Sequence, residues 1–333
     1  ALKILAIGAG RWGQNILKNL HALGHLAGVV DYHAESKAKA REIAPDVPIY
    51  DLYEDALKAT TFDAVTIATP APTHYQVARA MLERGLHTFV EKPMTMSSLE
   101  AEALTQLAAK QDRVLMVGHL LMYQPAVQFL KESLESKLIG DLISIHQYRL
   151  NLGRARNVEN ALWSLGVHDV AVAQYLVGDA PGRVVASGHS HLTPGVQDDV
   201  HVNITYKNGV HSSLHCSWLW PEMNRRTVIV GTTGMLVYSE ADQSVTLHRK
   251  SINANLENVV AETPTEVVFQ GSGEPLKLEM EHFVECCRTG ITPRSDGESA
   301  THVVRILEMA DRSMLPVPTT ASVEIETLET VTS

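Results

Sequence analysis

The sequence predicts an α/β protein of two parts, a dinucleotide-binding half on a parallel sheet and a second half with a sheet covered on one face. Three observations carry that prediction. Short apolar strands alternate with amphipathic helices through the first 120 or so residues, the pattern of right-handed crossovers in a buried parallel sheet. The first strand runs straight into Gly8-Ala9-Gly10-Arg11-Trp12-Gly13. Beyond Leu142 the pattern changes to short strands joined by Gly or Asp turns, of which Lys207-Asn208-Gly209 is a strong hairpin signal. A chain of 333 residues also exceeds what one hydrophobic core usually serves.

The elements follow in order. Lys3–Ile7 is a strand, and Gly13–Leu23 has helical periodicity through Ile16, Leu17, Leu20 and Leu23. Ala27–Val30 is a strand closed by Asp31, followed by a helix over Ser36–Ala44 and a short strand near Ile49. Strands at Ala64–Ala68, Thr88–Val90 and Val114–Val117 enclose helices at Tyr75–Arg84 and Leu99–Lys110. Tyr123-Gln124-Pro125 opens a new helix, which sets the expected domains at 1–120, 121–315 and a tail of 316–333. The second part begins with a strand at Leu142–Leu150 and a helix around Asn160–Leu176. Strands then follow at Arg183–His191, Val200–Tyr206, His211–Trp218, Arg226–Val230, Leu236–Tyr238 and Val245–Lys250. Alternation of Val200, Val202, Ile204 and Tyr206 implies one covered face. Helices at Leu276–Arg288 and Ser299–Ser313 close the fold, and the Thr-, Glu- and Val-rich tail is either an added strand or loosely ordered.

Composition narrows the function. A net charge of −10 argues against a nucleic-acid partner, whose phosphates most of the surface would repel. Cys216, Cys286 and Cys287 lack metal-ligand spacing, so neither a metal centre nor a disulfide framework is expected, and the reading is a reducing, cytoplasmic protein. No membrane-length apolar run or secretory segment is evident.

Gly8, Gly10 and Gly13 suit the unusual backbone of a tight turn, close approach of a pyrophosphate and tight helix–strand packing. Amides from Arg11 to Gln14 then face the phosphates, with Arg11 and Trp12 covering the pyrophosphate or the cleft. Asp31, at the end of the second strand, accepts hydrogen bonds from the adenosine ribose hydroxyls and repels a 2′-phosphate, so NAD is the expected cofactor; Lys37 and Lys39 leave NADP open. Thr69-Pro70-Ala71-Pro72-Thr73-His74 forms a stiff loop that supports ribose and nicotinamide, with Thr73 capping the next helix.

Glu91-Lys92-Pro93 ends an apolar strand, so Lys92 has an anchored stem and an amine free to enter the cleft. Oxidising an alcohol requires a base, and desolvation beside a positive nicotinamide lowers an amine's pKa towards neutrality. Pairing of Lys92 with Glu91 is the simpler alternative. His168 is a second candidate, on a helical face with Leu165, Val172 and Leu176, where most histidines are core residues. Arg154, Arg156, Asn157 and Asn160 precede that helix and suit an anionic or hydroxyl-rich ligand, and Asp169 follows His168 on another azimuth. Trp218, Trp220, Arg225 and Arg226 cluster around Pro221, as core plugs, interface residues or a site for a base and diphosphate.

Taken together, the glycine loop, Thr69-Pro70…Thr73-His74, Glu91-Lys92-Pro93 and Gly166-Val167-His168-Asp169 resemble the Gfo/Idh/MocA oxidoreductase family over nearly the whole chain. The resemblance implies an N-terminal Rossmann domain and a C-terminal α/β domain with an open, mainly antiparallel sheet, through which a homotetramer or dimer forms. It implies that Lys92 and His168 face the substrate beside the nicotinamide, that Glu91 belongs to the cofactor side, and that a cis peptide bond precedes Pro93. Ser164 stands where many members carry an aspartate, four residues before the site histidine. Arg154-x-Arg156…Asn160…Trp163…His168-Asp169 with Ser217-Trp218-Leu219 is similar to the nucleotide-sugar branch. That branch implies oxidation of the C3 hydroxyl of UDP-N-acetylglucosamine, with the 3-keto product passing to a PLP-dependent aminotransferase of lipid A synthesis. In that scheme His168 accepts the hydroxyl proton and Lys92 hydrogen-bonds the oxygen, the reverse assignment staying open; Arg154, Arg156, Asn157, Asn160, Asp169 and Arg225 position the substrate. A UDP-uronic acid, a free sugar or polyol, and a non-catalytic NAD sensor are the alternatives.

Overall fold

The computed structural model describes residues 1–315, so the expected tail lies outside the described residues. Its first sheet consists of β1 (Ile4–Ile7), β2 (Leu26–Val30), β3 (Ile49–Tyr50), β4 (Ala64–Ile67), β5 (His87–Glu91) and β6 (Leu115–Gly118). They lie in the order β3-β2-β1-β4-β5-β6 with every pairing parallel. β1, β4 and β6 are buried along their whole length, which explains why they read as continuous apolar runs. The crossovers are α1 (Gly13–Ala22), α2 (Ala34–Ile43), α3 (Tyr53–Ala59), α4 (His74–Glu83) and α5 (Ser98–Gln111). α3 was not expected: it is short and fully buries only Ala56, so it has no apolar stripe to detect. The strand order reverses between β1 and β4, the point at which an open parallel sheet binds its ligand outside the carboxyl ends of its strands.

α6 (Pro125–Glu135) leads into the second half, which contains β7 (Leu142–Leu150), α7 (Val167–Val177), β8 (Pro181–His189), β9 (Asp199–Tyr206), β10 (His211–Ser217), β11 (Asn224–Gly231), β12 (Met235–Ser239), β13 (Ser244–Ile252) and β14 (Asn258–Gln270). Their order is β14-β13-β12-β11-β7-β10-β9-β8, antiparallel except for the β7–β10 pair. Val200, Val202, Ile204 and Tyr206 are buried while Asp199, His201, Asn203 and Thr205 face outward, so one face is covered and the other open. β14 was not foreseen because it is exposed along most of its length and lacks alternation.

The expected single helix over Asn160–Leu176 is divided. Leu162–Gly166 is one π-helical stretch and α7 starts only at Val167, which re-phases the side chains that follow. A Cβ on Gly166 would lie 2.9 Å from the Cys216 sulfur and 3.1 Å from Leu214, so glycine lets this turn approach β10. The chain then closes with α8 (Pro275–Thr289) and α9 (Gly297–Met314), which return to the first half. Phe283 of α8 meets Phe89 of β5 at 5.7 Å between centroids, Val117 N–H donates to the Ser295 carbonyl, and Ser98 donates to Glu308 of α9. No helix among the described residues is long and apolar enough to cross a membrane.

Candidate active site

Backbone geometry explains the glycine loop. Gly8 has φ +98°, and a Cβ there would stand 2.6 Å from the Ala68 carbonyl oxygen at the end of β4. A Cβ on Gly13 would overlap the Gly8 carbonyl at 2.2 Å, so α1 packs as closely as glycine permits. Gly10 is different: nothing lies within 4 Å of its would-be Cβ. Two glycines therefore build the turn, and the third leaves open backbone where a pyrophosphate can approach, with α1 starting beyond it. The residues fit a dinucleotide. Asp31, at the end of β2, accepts the Ala9 amide at 2.8 Å and the His33 amide at 2.8 Å, so it also fastens the glycine loop to the sheet.

Several expected cofactor contacts turn out to be braces. Trp12 keeps its ring part-exposed but donates its indole N–H to Glu91 Oε1 at 2.5 Å, and Glu91 Oε2 accepts the Lys92 amide at 3.2 Å. Glu91 is buried against Gly118, where a Cβ would come within 2.9 Å of the carboxylate; it ties α1's entry to β5 instead of facing a ligand. His74 is buried with Nδ1 2.8 Å from the Pro93 carbonyl and Nε2 2.8 Å from the Thr69 carbonyl, and a neutral ring donates to one of the two. It clamps the Thr69-Pro70 loop to the Lys92–Pro93 turn, whose peptide bond is cis, and offers no free atom to a cofactor. Thr73 makes no cap: its hydroxyl lies 2.7 Å from Thr69 Oγ1 and 2.7 Å from the Pro70 carbonyl. Arg11 is exposed.

Lys92 follows β5 directly, and its amine donates to the Ser164 carbonyl at 3.2 Å. At the position where a carboxylate was missing from the motif, the π-helical stretch supplies a backbone oxygen. Burial lowers the Lys92 pKa from its ordinary value and Arg156 adds to this, against the opposing pull of Glu91 and Glu159. The same burial pushes Glu91 up to about 7, despite the Trp12 hydrogen bond and the Lys92 charge. Behind it stands Glu279 of α8, fully buried, with no partner for either carboxylate oxygen; burial first and Glu91 second raise its pKa well above the usual range.

Two imidazoles complete the cluster. His119 follows β6, is buried, and has no partner on either nitrogen. Burial and then the Lys92 charge hold it down to about 3. His168 lies in the first turn of α7 with its Nδ1 buried and unpartnered, and burial followed by Lys92, Arg149, His119 and Arg225 holds its pKa well below the ordinary value. Both rings are therefore neutral at pH 7, and each has a polar atom that a ligand can satisfy. His119 went unremarked in the sequence, although its place at a strand's carboxyl end beside Gly118 was the available signal.

The expected substrate residues divide. Arg154, Arg156 and Asn157 lie exposed on the loop between β7 and the π-helical stretch, where Arg156 stands 3.4 Å from Glu159. Asn160 is held within the fold. Its amide donates to Asp311 Oδ1 at 3.0 Å and its oxygen accepts the Trp163 amide at 3.0 Å, so it starts the helix and ties it to α9. Trp163 reinforces this through Asp311 Oδ2 at 2.6 Å. Asp169 is also redirected: it is buried in an ion pair with Arg149 of β7, which reaches Glu240 at 2.7 Å. Arg225 meets the same Glu240 at 2.9 Å but keeps a buried Nε without a partner. Burial opposes ionisation of Glu240, yet Arg149 and Arg225 outweigh it and hold its pKa below the usual carboxylate range. The two arginines and two carboxylates balance, so this wall adds little net charge to the cleft. Arg149 and Glu240 had no distinguishing motif.

Comparison with known proteins places these elements. Residues 2–119 match the family described as "Oxidoreductase family, NAD-binding Rossmann fold", and residues 127–237 match the "GFO/IDH/MocA C-terminal domain". The UDP-N-acetylglucosamine 3-dehydrogenase of Acidithiobacillus ferrooxidans is 29% identical over 301 residues, covering 90% of this chain and 92% of that protein. Its solved structure superposes with a TM-score of 0.82 at 26% identity, over 94% of this chain and 97% of that one. The scyllo-inositol 2-dehydrogenase (NAD(+)) of Bacillus subtilis is 26% identical, covering 88% of each chain.

Proposed function

Since the chain belongs to the Gfo/Idh/MocA oxidoreductase family and carries its NAD-binding Rossmann fold, we propose that it oxidises the C3 hydroxyl of UDP-N-acetylglucosamine to the 3-keto nucleotide sugar. The observation that carries the reading is the half-buried Lys92 amine at the carboxyl edge of the sheet, beside the unpartnered nitrogens of His119 and His168. NAD, when bound at the glycine loop, supplies the hydride acceptor. The protein's task is to remove the hydroxyl proton as the C–H bond gives up hydride. Lys92, with its pKa lowered by burial, takes that proton in its neutral form. His168 hydrogen-bonds the same oxygen as a neutral imidazole. This exchanges the roles first expected for the pair: burial and nearby cations lower the pKa of His168 and weaken it as a base, while burial lowers that of Lys92 and favours its neutral, proton-accepting form.

The substrate reading is supported by the Acidithiobacillus relative and by Arg154 and Arg156, exposed on the loop whose Arg156 charge reaches Lys92, where they suit a diphosphate. Asn157 and Arg225 flank the sugar in this reading, and Asp31 favours NAD over NADP because a 2′-phosphate would meet its carboxylate. The 3-keto product then goes to a PLP-dependent aminotransferase of lipid A synthesis, from an enzyme that acts as a homotetramer or dimer. One observation favours a second reading, a free sugar or polyol: the Arg149–Asp169–Glu240–Arg225 wall is balanced and provides no excess cation.

The deciding experiment follows nicotinamide reduction by the purified chain on UDP-N-acetylglucosamine, its uronic acid, N-acetylglucosamine and scyllo-inositol. Aminotransferase trapping then identifies the oxidised carbon. Preference for UDP-N-acetylglucosamine, lost on Arg154→Ala with Arg156→Ala, supports the proposal. Preference for a free sugar, unchanged in that variant, overturns it.

A further inference from the structure

The open face of the second sheet carries a group of ligating side chains apart from the reaction cleft. In register, His201 of β9 faces His215 of β10, and Asp199 faces Ser217 on one side and His189 of β8 on the other. Partners in register share a face, so the two imidazoles stand side by side with Asp199 one pleat away. Their rings stack at 3.8 Å with an interplanar angle of 16°. His215 Nε2 lies 3.2 Å from each Asp199 oxygen, and His201 Nε2 lies 3.7 Å from Oδ1. All three ligand atoms fall within 4.8 Å of one another.

The Asp199 separations of 3.2 Å to His215 and 3.7 Å to His201 are close to those that coordination requires. Zinc–nitrogen and zinc–oxygen bonds of about 2.0–2.1 Å at tetrahedral angles set ligand atoms about 3.3 Å apart. An ordinary ion pair accounts for His215 with Asp199. The edge of Trp220 lies against the His215 ring, 5.5 Å away at 88°, and limits its movement.

We propose that Asp199, His201 and His215 form a binding site for a divalent transition-metal ion of the zinc type. Two imidazoles and one carboxylate select such an ion over magnesium or calcium, which prefer oxygen ligands. The fourth position is open to water or to the exposed His189. Because lone pairs lie in the ring planes, binding turns the exposed His201 ring out of its stack to converge with His215. The ion would join β9 to β10 just before the segment leading to Arg225, so its first effect is on stability.

The test uses the chelator-treated full chain, titrated with Zn²⁺ by calorimetry and with Co²⁺ by visible absorption. One equivalent per chain is expected, with the absorption of a low-coordinate Co²⁺ ion and a rise in Tm on adding Zn²⁺. Asp199→Asn and His215→Ala should each weaken Zn²⁺ at least about tenfold, whereas His211→Ala, which removes another exposed histidine on the same strand, should not. Melting of each variant without metal checks that it is folded, and His201→Ala provides an exposed substitution that leaves the sheet intact. Absence of stoichiometric Zn²⁺ binding, or binding unchanged in Asp199→Asn and His215→Ala, overturns the proposal.

Discussion

At the carboxyl edge of the first sheet, both buried nitrogens of His119 are left without partners, and the half-buried Lys92 amine has one backbone carbonyl. Around the start of α7 in the second half, half-buried Asn160 is engaged by Asp311 and buried Asp169 by Arg149, although Arg225 Nε and Gln174 Oε1 are left without partners. Leaving a buried donor or acceptor unmatched costs about 1–3 kcal/mol, so the first arrangement is tolerated where a ligand repays it. The contrast assigns the chemistry to the strand edge and wall-building to most of the ions opposite. His168 bridges the two, since its helix belongs to the wall and its buried Nδ1 has no partner.

The largest effect that could break this contrast is at Lys92. Lys92→Met should lower turnover about 10²–10⁴-fold while NAD binding persists, as expected for loss of a proton acceptor. Near-normal turnover with NAD bound would remove the edge from the chemistry. On the wall, Arg149→Met leaves Asp169 buried and unpaired and should cost about 3–5 kcal/mol in denaturant unfolding. A loss confined to activity would show that the wall is part of the reaction site. Asn160→Ala should cost about 1–2 kcal/mol by removing a helix start, with little change in KM; a KM effect without loss of stability would return Asn160 to the substrate.

The smallest effect concerns Glu279, which lies behind the edge. A carboxyl whose folded pKa is raised contributes stability below its unfolded value near 4.5, and that contribution is lost as pH rises through the folded value. Glu279→Gln should therefore match the parent's stability near pH 4 and exceed it near pH 8. Equal stability of the two proteins across that range would mean that the buried carboxyl is satisfied in some other way.

How much of this was legible in the sequence follows from the range of each interaction. The glycine loop, Asp31 and Lys92 are local signals, each readable from a strand and the turn after it, and the structure puts them at the carboxyl edge of one sheet. The fold contact of Asn160 was hidden because its partner Asp311 lies 151 residues away, and a polar side chain near a helix start looks the same whether it binds ligand or fold. The ion pair of Asp169 was hidden similarly, since nothing in β7 marks Arg149 as its counter-ion. The π-helical stretch was hidden because it shares the apolar composition of α7, yet its Ser164 carbonyl is what meets Lys92. α3 and β14 carry too little buried periodicity to be read at all.

The central claim is that a neutral Lys92 takes the proton. Its most direct test is the pH dependence of kcat/KM for nicotinamide reduction, in the parent and in Glu91→Gln. The account predicts an acid limb below the ordinary lysine value of 10.5, moved to lower pH in Glu91→Gln because the Glu91 charge raises the Lys92 pKa. An acid limb at the same pH in both proteins would contradict it.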